Sequence, residues 1–264
     1  MARSDDLGRI AEALTRAQQV LERFTPGAVE HRRKSGGDPV TEADLAIDAV
    51  LRDVLSGPGE GWLSEETADS EERLAHDRVW IVDPLDGTKE FVSGIPEWCV
   101  SVGLVEGQRA VAGGIACPAR GLVIVGALGE GVRVDGEATR ARQRESLDDA
   151  EVLASRSEVG RGEWAGFESA PFRVRAMGSV ALKLGLVAAG QADATWTLVP
   201  KHEWDVAAGA ALVAAAGGEV WCLDGAAPRF NRPRPLLDGL FAAAAGLRTP
   251  IEQFFASRSE PGRR

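Results

Sequence analysis

Val79-Trp80-Ile81-Val82-Asp83-Pro84-Leu85-Asp86-Gly87-Thr88 is the stretch on which the reading of this chain turns. Four apolar residues in succession, closed by Asp-Pro, read as a buried strand that stops at Asp83-Pro84 and gives way to a loop. Two carboxylates, Asp83 and Asp86, therefore lie at the end of a core element. A strand rarely stops with two acids in four residues unless something cationic binds there. Mg2+ prefers hard oxygen ligands: carboxylates, carbonyls and water. DPLDG offers Asp83, the Leu85 carbonyl and Asp86 around one or two ions. Gly87 permits a tight turn and leaves backbone N–H groups open to a phosphate.

Working outward, CVSVGLVEG (99–107), AVAGGIACP (110–118) and GLVIVGALG (121–129) follow, separated by Gly and Pro turns. They predict consecutive strands of an antiparallel sheet, with EGVRVDG (130–136) as a further short strand. Upstream, Leu7, Ile10, Leu14, Ala17 and Leu21 recur at helical spacing across residues 5–22. A basic, glycine-rich loop, KSGGDP (34–39), precedes a second helix that begins at Thr41 and carries Ile47, Val50, Leu51 and Val54 on one face. Downstream, GSVALKLGLVAAG (178–190) and WDVAAGAALVAAAGG (204–218) are helix-like and end in glycine. GEVWCLDG (218–225) and LLDGLFAAAAG (236–246) complete the pattern. Strand runs mixed with helices predict a layered α+β or α/β sandwich. A charged stretch at 137–150 marks a soft boundary between a half at 1–140, carrying most of the candidate ligands, and a half at 141–264.

Composition narrows the partners. The 264 residues carry a net charge of −10, which disfavours nucleic acid polymers and anionic membranes. An acidic protein that handles a phosphorylated metabolite must reverse its field locally with bound cations. Only Arg258 to Arg264 is distinctly basic, as a frayed end would be. The apolar runs, such as Ala207–Ala216, are too short to span a bilayer, and MARSDDLGRI has no apolar signal core. A cytoplasmic location is the expectation. Cys99, Cys117 and Cys222 form no CxxC pair and read as buried free thiols. His31, His76 and His202 are scattered, which argues against zinc.

Three further acidic clusters join DPLDG: Asp44 in VTEAD, Glu65-Glu66 in SEET, and Asp205 in WDVAA. Each has a plain structural explanation. Asp44 lies three residues after Thr41, as in a capping box. Asp205 is placed to N-cap a helix. Glu65-Glu66 could be a solvated pair, and the DP and DG dipeptides are common turns.

Taken in order, the four clusters resemble the signature of the inositol monophosphatase superfamily, the lithium-sensitive phosphatases. The pattern is an early Asp (Asp44), an acidic pair (Glu65-Glu66), DP(I/L)DG(S/T) (Asp83 to Thr88) and WDxxA (Trp204 to Ala208), and the resemblance runs from about Leu7 to Leu247. It implies a layered α-β-α-β-α sandwich with a metal site between two halves. It also implies two or three Mg2+ ions: Glu65, Asp83 and the Leu85 carbonyl at one, Asp83, Asp86 and Asp205 at a second, and Asp44 with Glu65 at a weaker third. Two ions about 4 Å apart can clamp the attacking and leaving oxygens of a phosphate monoester. The family places Glu65 and Thr88 to orient the attacking water, and the N–H groups of Gly87 and Thr88, with the start of the Asp205 helix, to hold phosphate.

Lys89-Glu90-Phe91 after the DPLDGT turn resembles the 3′-phosphoadenosine-5′-phosphate phosphatases of the bacterial CysQ type. Ser155-Arg156-Ser157 resembles their nucleotide-contacting SRS/TRS element, and Lys183 matches a lysine common in that group. At Thr197 or a close neighbour, inositol enzymes carry a glutamate that this chain lacks. Lys89, Arg156, Lys183 and Lys201 could meet a second phosphate, or could all be solvated surface cations. SGIPEW (93–98) departs from the nucleotidases and leaves inositol-1-phosphate, sugar and histidinol phosphates as alternatives. A catalytically lapsed regulatory protein of this fold is a further alternative. Relatives are monomers or homodimers, so both states stay open.

Overall fold

The computed structural model describes residues 3–33 and 39–259. Helix α1 (Arg3–Leu21) buries Ile10, Leu14, Ala17 and Leu21 of the expected stripe, adds Ala13, and leaves Leu7 half-buried. Strands β1 (His31–Arg33) and β2 (Pro39–Thr41) pair antiparallel. The KSGGDP loop, apart from Pro39, and residues 260–264 of the basic tail lie outside the described residues. Helix α2 (Glu42–Leu55) opens on the expected capping box: Thr41 Oγ1 accepts from the Ala43 and Asp44 N–H groups, and Asp44 accepts from the Thr41 N–H.

Strands β3 (Glu60–Ser64), β4 (Arg78–Asp86), β5 (Cys99–Glu106), β6 (Arg109–Cys117), β7 (Leu122–Ala127), β8 (Gly131–Val134) and β9 (Glu137–Thr139) form a seven-stranded sheet in sequence order. β3 and β4 are parallel, and the meander from β4 to β9 is antiparallel; its β5–β8 part follows the Gly and Pro punctuation, whereas β9 lies in the charged stretch, where the sequence predicts no strand. Strand β4 runs further than expected. It passes through Asp83-Pro84 to Asp86, with its register against β5 shifted between Asp83 and Asp86. Pro84 has no N–H to donate, and a bulge is where a strand tolerates that.

The second sheet comprises β10 (Glu151–Ser155), β11 (Arg173–Met177), β12 (Ala194–Thr197), β14 (Glu219–Cys222) and β16 (Leu240–Ala243), in the order β11-β10-β12-β16-β14. A two-residue pair, β13 (Lys201–His202) with β15 (Leu236–Leu237), flanks it. The remaining helices are α3 (Thr88–Val92), α4 (Arg156–Gly160), α5 (Val180–Ala188), α6 (Glu203–Ala215) and α7 (Arg248–Ser259).

These elements stack in five layers, α-β-α-β-α, as the family resemblance implies. Trp80 and Val82 pack under α1 and α2. Val79 and Ile81, pointing the other way, pack under α5 and α6. A strand covered on both faces must be apolar throughout, which explains the unbroken Val-Trp-Ile-Val run. Leu153, Leu240 and Ala242 of the second sheet close over the same two helices. Its outer face is an aromatic cluster, with Trp164, Trp196, Trp221 and Phe241 beneath Ile251 of α7. Helix α6 is apolar all round because it lies between two sheets. It also lies directly on bare strand backbone. A Cβ at Gly113 of β6 would fall 2.5 Å from the Ala208 carbonyl oxygen, and one at Gly103 of β5 would fall 2.9 Å from the Ala208 nitrogen. Among the described residues, no helix is long and apolar enough to cross a membrane. Cys99 and Cys117 are buried and Cys222 half-buried, all as free thiols.

Candidate metal and phosphate site

A cleft of about 280 Å³ opens where the end of β4 meets the starts of α3, α4, α5 and α6. One wall is acidic. Carboxylate oxygens of Asp83, Asp86 and Asp205 lie within 4.8 Å of one another, and Glu65 and Leu85 line the same wall. The bulge in β4 delivers Asp83 and Asp86. Asp83 Oδ1 accepts from the Leu85 N–H at 2.9 Å. Asp86 Oδ2 accepts from Ser179 Oγ and from the Ala181 N–H, both at 2.6 Å, at the start of α5. Asp205 is the third residue of α6, not its N-cap. Its Oδ2 accepts from the N–H of His202, which takes the cap position instead.

Crowding and burial act together on these acids. Burial, then the charges of Glu65, Asp86 and Asp205, push the Asp83 carboxyl well above the usual carboxylate range. Burial, then Asp86 and Glu65, do the same to Asp205. Burial raises Asp86 too, opposed by the bonds from Ser179 and Ala181. A wall of hard oxygens that resist ionising together is the donor set a divalent cation relieves.

Thr88 and Gly87 form the floor. Thr88 Oγ1 lies 3.1 Å from Asp44 Oδ1 and 3.0 Å from the Leu85 carbonyl oxygen. Gly87 has φ +96°, and a Cβ there would meet the Glu97 carbonyl oxygen at 2.8 Å. Asp44 does not line the cleft. It is buried behind Thr88, and its second oxygen is held by the Thr41 N–H at 2.8 Å and the Thr41 hydroxyl at 2.5 Å. Burial raises its carboxyl, against the bonds from Thr41 and Thr88.

The same cleft holds cations. Lys89, Ser155, Arg156, Ser157, Lys183 and Lys201 all line the cleft. Lys183 is no solvated surface cation: it is 4% exposed, because α5 lies between the sheets. Its Nζ donates to the Ser179 carbonyl at 2.7 Å. Burial lowers it to about 8, with Asp86 pulling the other way. Arg156 is more exposed and pairs with Glu97, which also accepts from the Gly178 N–H at 2.7 Å. Lys201 Nζ lies 3.7 Å from Glu158.

Sequence reasoning missed Ser179, Glu158 and Arg161. Ser179 caps α5 with φ +56°, and a serine ahead of a helix run was the available signal. Glu158 lies three residues after Ser155, a capping-box spacing. It is buried and accepts from Trp164 Nε1 at 3.1 Å and from Thr197 Oγ1 at 2.9 Å. Thr197, where a glutamate was expected and missing, thus has a carboxylate beside it after all, supplied from α4. Arg161 lines the cleft beside Ser157 and carries no sequence signal of its own.

The chain is similar to known proteins. A profile of the inositol monophosphatase family matches residues 6–260. An inositol-1-monophosphatase from Mesorhizobium japonicum is 35% identical over 237 residues, covering 85% of this chain and 88% of that protein. An IMPase from Thermotoga maritima superposes with a TM-score of 0.82 at 26% identity, covering 97% of this chain and 98% of its own. CysQ from Bacteroides thetaiotaomicron, a bacterial member of the same family, gives a TM-score of 0.77 at 26% identity over 91% of this chain and 97% of its own. The motif order, the five layers and the crowded acids of the cleft have one common explanation: the chain belongs to the inositol monophosphatase family.

Proposed function

We propose that this chain is a Mg2+-dependent phosphatase that hydrolyses a phosphate monoester of a small metabolite, and that its preferred substrate is 3′-phosphoadenosine-5′-phosphate, giving AMP. The observation that carries the reading is a single cleft lined both by crowded carboxylates and by a set of lysine and arginine side chains.

Glu65, Asp83, the Leu85 carbonyl, Asp86 and Asp205 would hold the Mg2+ ions, which when bound neutralise the ester's charge and make water a better nucleophile. The remaining work falls to the protein. Thr88 and Glu65 orient the attacking water, and Asp44 fixes the Thr88 hydroxyl from behind at 3.1 Å. The N–H groups of Gly87 and Thr88 and the positive end of α6 receive the phosphate oxygens. Lys183, Lys201 and Arg156 would meet the second phosphate, one charge-assisted contact being worth about 1.5–3 kcal/mol.

A second reading, inositol-1-phosphate, has its own support. The relative from Mesorhizobium japonicum carries that activity in its name, and buried Glu158 beside Thr197 could accept hydrogen bonds from sugar hydroxyls. Phosphate release from a panel of both esters, with and without Mg2+, separates these readings from each other and from a catalytically lapsed protein. We expect Mg2+-dependent turnover, a higher kcat/KM for the bisphosphate, and a tenfold or greater loss of that preference in Lys183→Met. A wild-type preference for inositol-1-phosphate would overturn the nucleotidase assignment. No turnover of any ester at saturating Mg2+ would overturn the enzyme itself.

A further inference from the structure

A chain of mostly buried polar groups connects two parts of the fold and takes no part in the chemistry above. It starts at Asp69, in the loop that follows Glu65. Both Asp69 oxygens accept from Arg73, at 2.7 and 2.8 Å. The same guanidinium reaches across to the Asn231–Arg232 turn, donating to Asn231 Oδ1 at 2.7 Å and to the Arg232 carbonyl at 2.9 Å. Asn231 holds φ +56°, a backbone conformation that needs support in a non-glycine residue. Glu203 supplies it. One oxygen accepts from the Asn231 N–H at 2.7 Å and the other from the Arg232 N–H at 3.0 Å. Glu203 is the first residue of α6, two residues before Asp205. Arg73 is 2% exposed and Glu203 is fully buried.

We propose that this chain is a clamp that positions Glu65 against Asp205, so that Arg73 and Asp69 help set the affinity of the site for Mg2+. The proposal rests on the Mg2+ reading given above. Glu65 sits where the β3–β4 ladder runs out, its N–H reaching the Val82 carbonyl at only 3.4 Å. Beyond that point no strand pairing directs the loop. Its near end is tied to α2 by Asp48, which accepts from Ser64 Oγ at 2.5 Å and from Thr67 Oγ1 at 2.6 Å. Its far end is tied by Asp69 to Arg73. Asp205, by contrast, comes from the middle helical layer. Glu65 and Asp205 therefore belong to no common sheet or helix, and the clamp spans the gap between their elements. A buried ion pair is a poor source of net stability. A guanidinium, however, offers donors in a rigid planar fork, which fixes the direction of what it binds. Here that fork holds the loop after Glu65 and the turn held by the first residue of α6 in one geometry.

The test is calorimetric Mg2+ binding to the full chain without substrate, for the wild type, Asp69→Asn, Arg73→Lys and a control, Arg78→Lys. Arg78 belongs to an ion network with Asp6, Glu60 and Glu106 that does not border the cleft. Asp69→Asn and Arg73→Lys should weaken Mg2+ binding about tenfold, the lower end of what losing a ligand's direct partner costs, because the clamp acts through the backbone that carries the ligands, with kcat largely recovered at saturating Mg2+. Arg78→Lys should lower Tm and leave Mg2+ affinity unchanged. Clamp variants that lose Tm but bind Mg2+ like the wild type overturn the proposal, as does a control that weakens binding equally. If Arg73→Lys fails to fold, Asp69→Asn decides, since the Asp69 side chain is 31% exposed. A wild type that binds no Mg2+ overturns both the clamp and the Mg2+ reading, whereas normal wild-type binding with unaffected variants overturns the clamp alone.

Discussion

Replacing Asp83 by Asn should stabilise the metal-free protein and abolish its function. The side chain is buried, and its oxygens lie within 4.8 Å of those of Asp86 and Asp205. Two unit charges at that separation repel by about 3 kcal/mol at an effective dielectric of about 20. The metal-free protein escapes part of this by retaining protons, as the raised carboxyls of Asp83 and Asp205 imply. The net gain from removing one acid is therefore about 1–3 kcal/mol. Asn Oδ1 can keep the bond that Asp83 Oδ1 accepts from the Leu85 N–H, and its new amide N–H donors have the neighbouring carboxylates of Asp86 and Asp205 as acceptors. At about 2 °C per kcal/mol for a chain of this length, Tm in EDTA should rise by about 2–6 °C. Mg2+ reverses the order. At a hundredfold excess over Kd it adds about 2.7 kcal/mol to the wild type, and it should add far less to the variant. Thermal unfolding in EDTA and in Mg2+, beside phosphate release, reads all of this. The pH sign follows from the raised carboxyls: the folded chain holds protons that the unfolded chain has lost. Metal-free wild type should therefore lose stability as pH rises from about 4 through the folded values, at roughly 1 kcal/mol per pH unit for each proton held, and the variant should lose less. A variant less stable than wild type in EDTA, or an equal Mg2+ shift in both proteins, would refute the reasoning.

Thr88→Ala should lower kcat substantially and change KM little, because the hydroxyl held by Asp44 acts mainly in the transition state; steady-state kinetics showing the opposite split would assign Thr88 to substrate binding. Gly87→Ala should destabilise the protein by more than about 1 kcal/mol and cut turnover, since its Cβ would meet the Glu97 carbonyl oxygen at a left-handed position; an unchanged Tm would show that the turn can move. Lys183 titrates near 8, so kcat/KM for the bisphosphate should fall as pH rises through about 8 and the ammonium is lost. A flat profile in that range would separate Lys183 from the second phosphate.

The strongest periodic signals carried the reading of the fold. The β5–β8 meander showed itself through apolar runs punctuated by Gly and Pro, and α1, α2, α5 and α6 through spacing and terminal glycines. β3, β10 and β12 are only four or five residues long, too short for periodicity to separate strand from helix. α4 and α7 lie in stretches where tertiary packing, not an amphipathic stripe, decides the conformation. The site divides similarly. Asp83, Asp86, Asp205 and Glu65 were legible because acids in order beside core elements are unusual. Ser179 and Glu158 were not, because a serine before a helix and an acid within its first turn occur everywhere as caps. The burial of Lys183 was hidden as well. A lysine in an apolar helix looks solvated until the second sheet is known to cover it.

The contact between α6 and the bare backbone of β5 and β6 makes the inner layer intolerant in one direction only. Larger residues there can become smaller at the cost of a void, but Gly113 and Gly103 cannot grow, because both already face the Ala208 backbone without room for a methyl group. Gly113 carries no chemistry and lies more than ninety positions from Asp205 in the chain. A single added carbon there would nonetheless lift the helix that presents Asp205. A substitution at such a position would be read as loss of the active site without any active-site residue having changed. The thickness of the middle layer and the spacing of Asp205 from Asp83 and Asp86 are one dimension of this protein, and neither can vary alone.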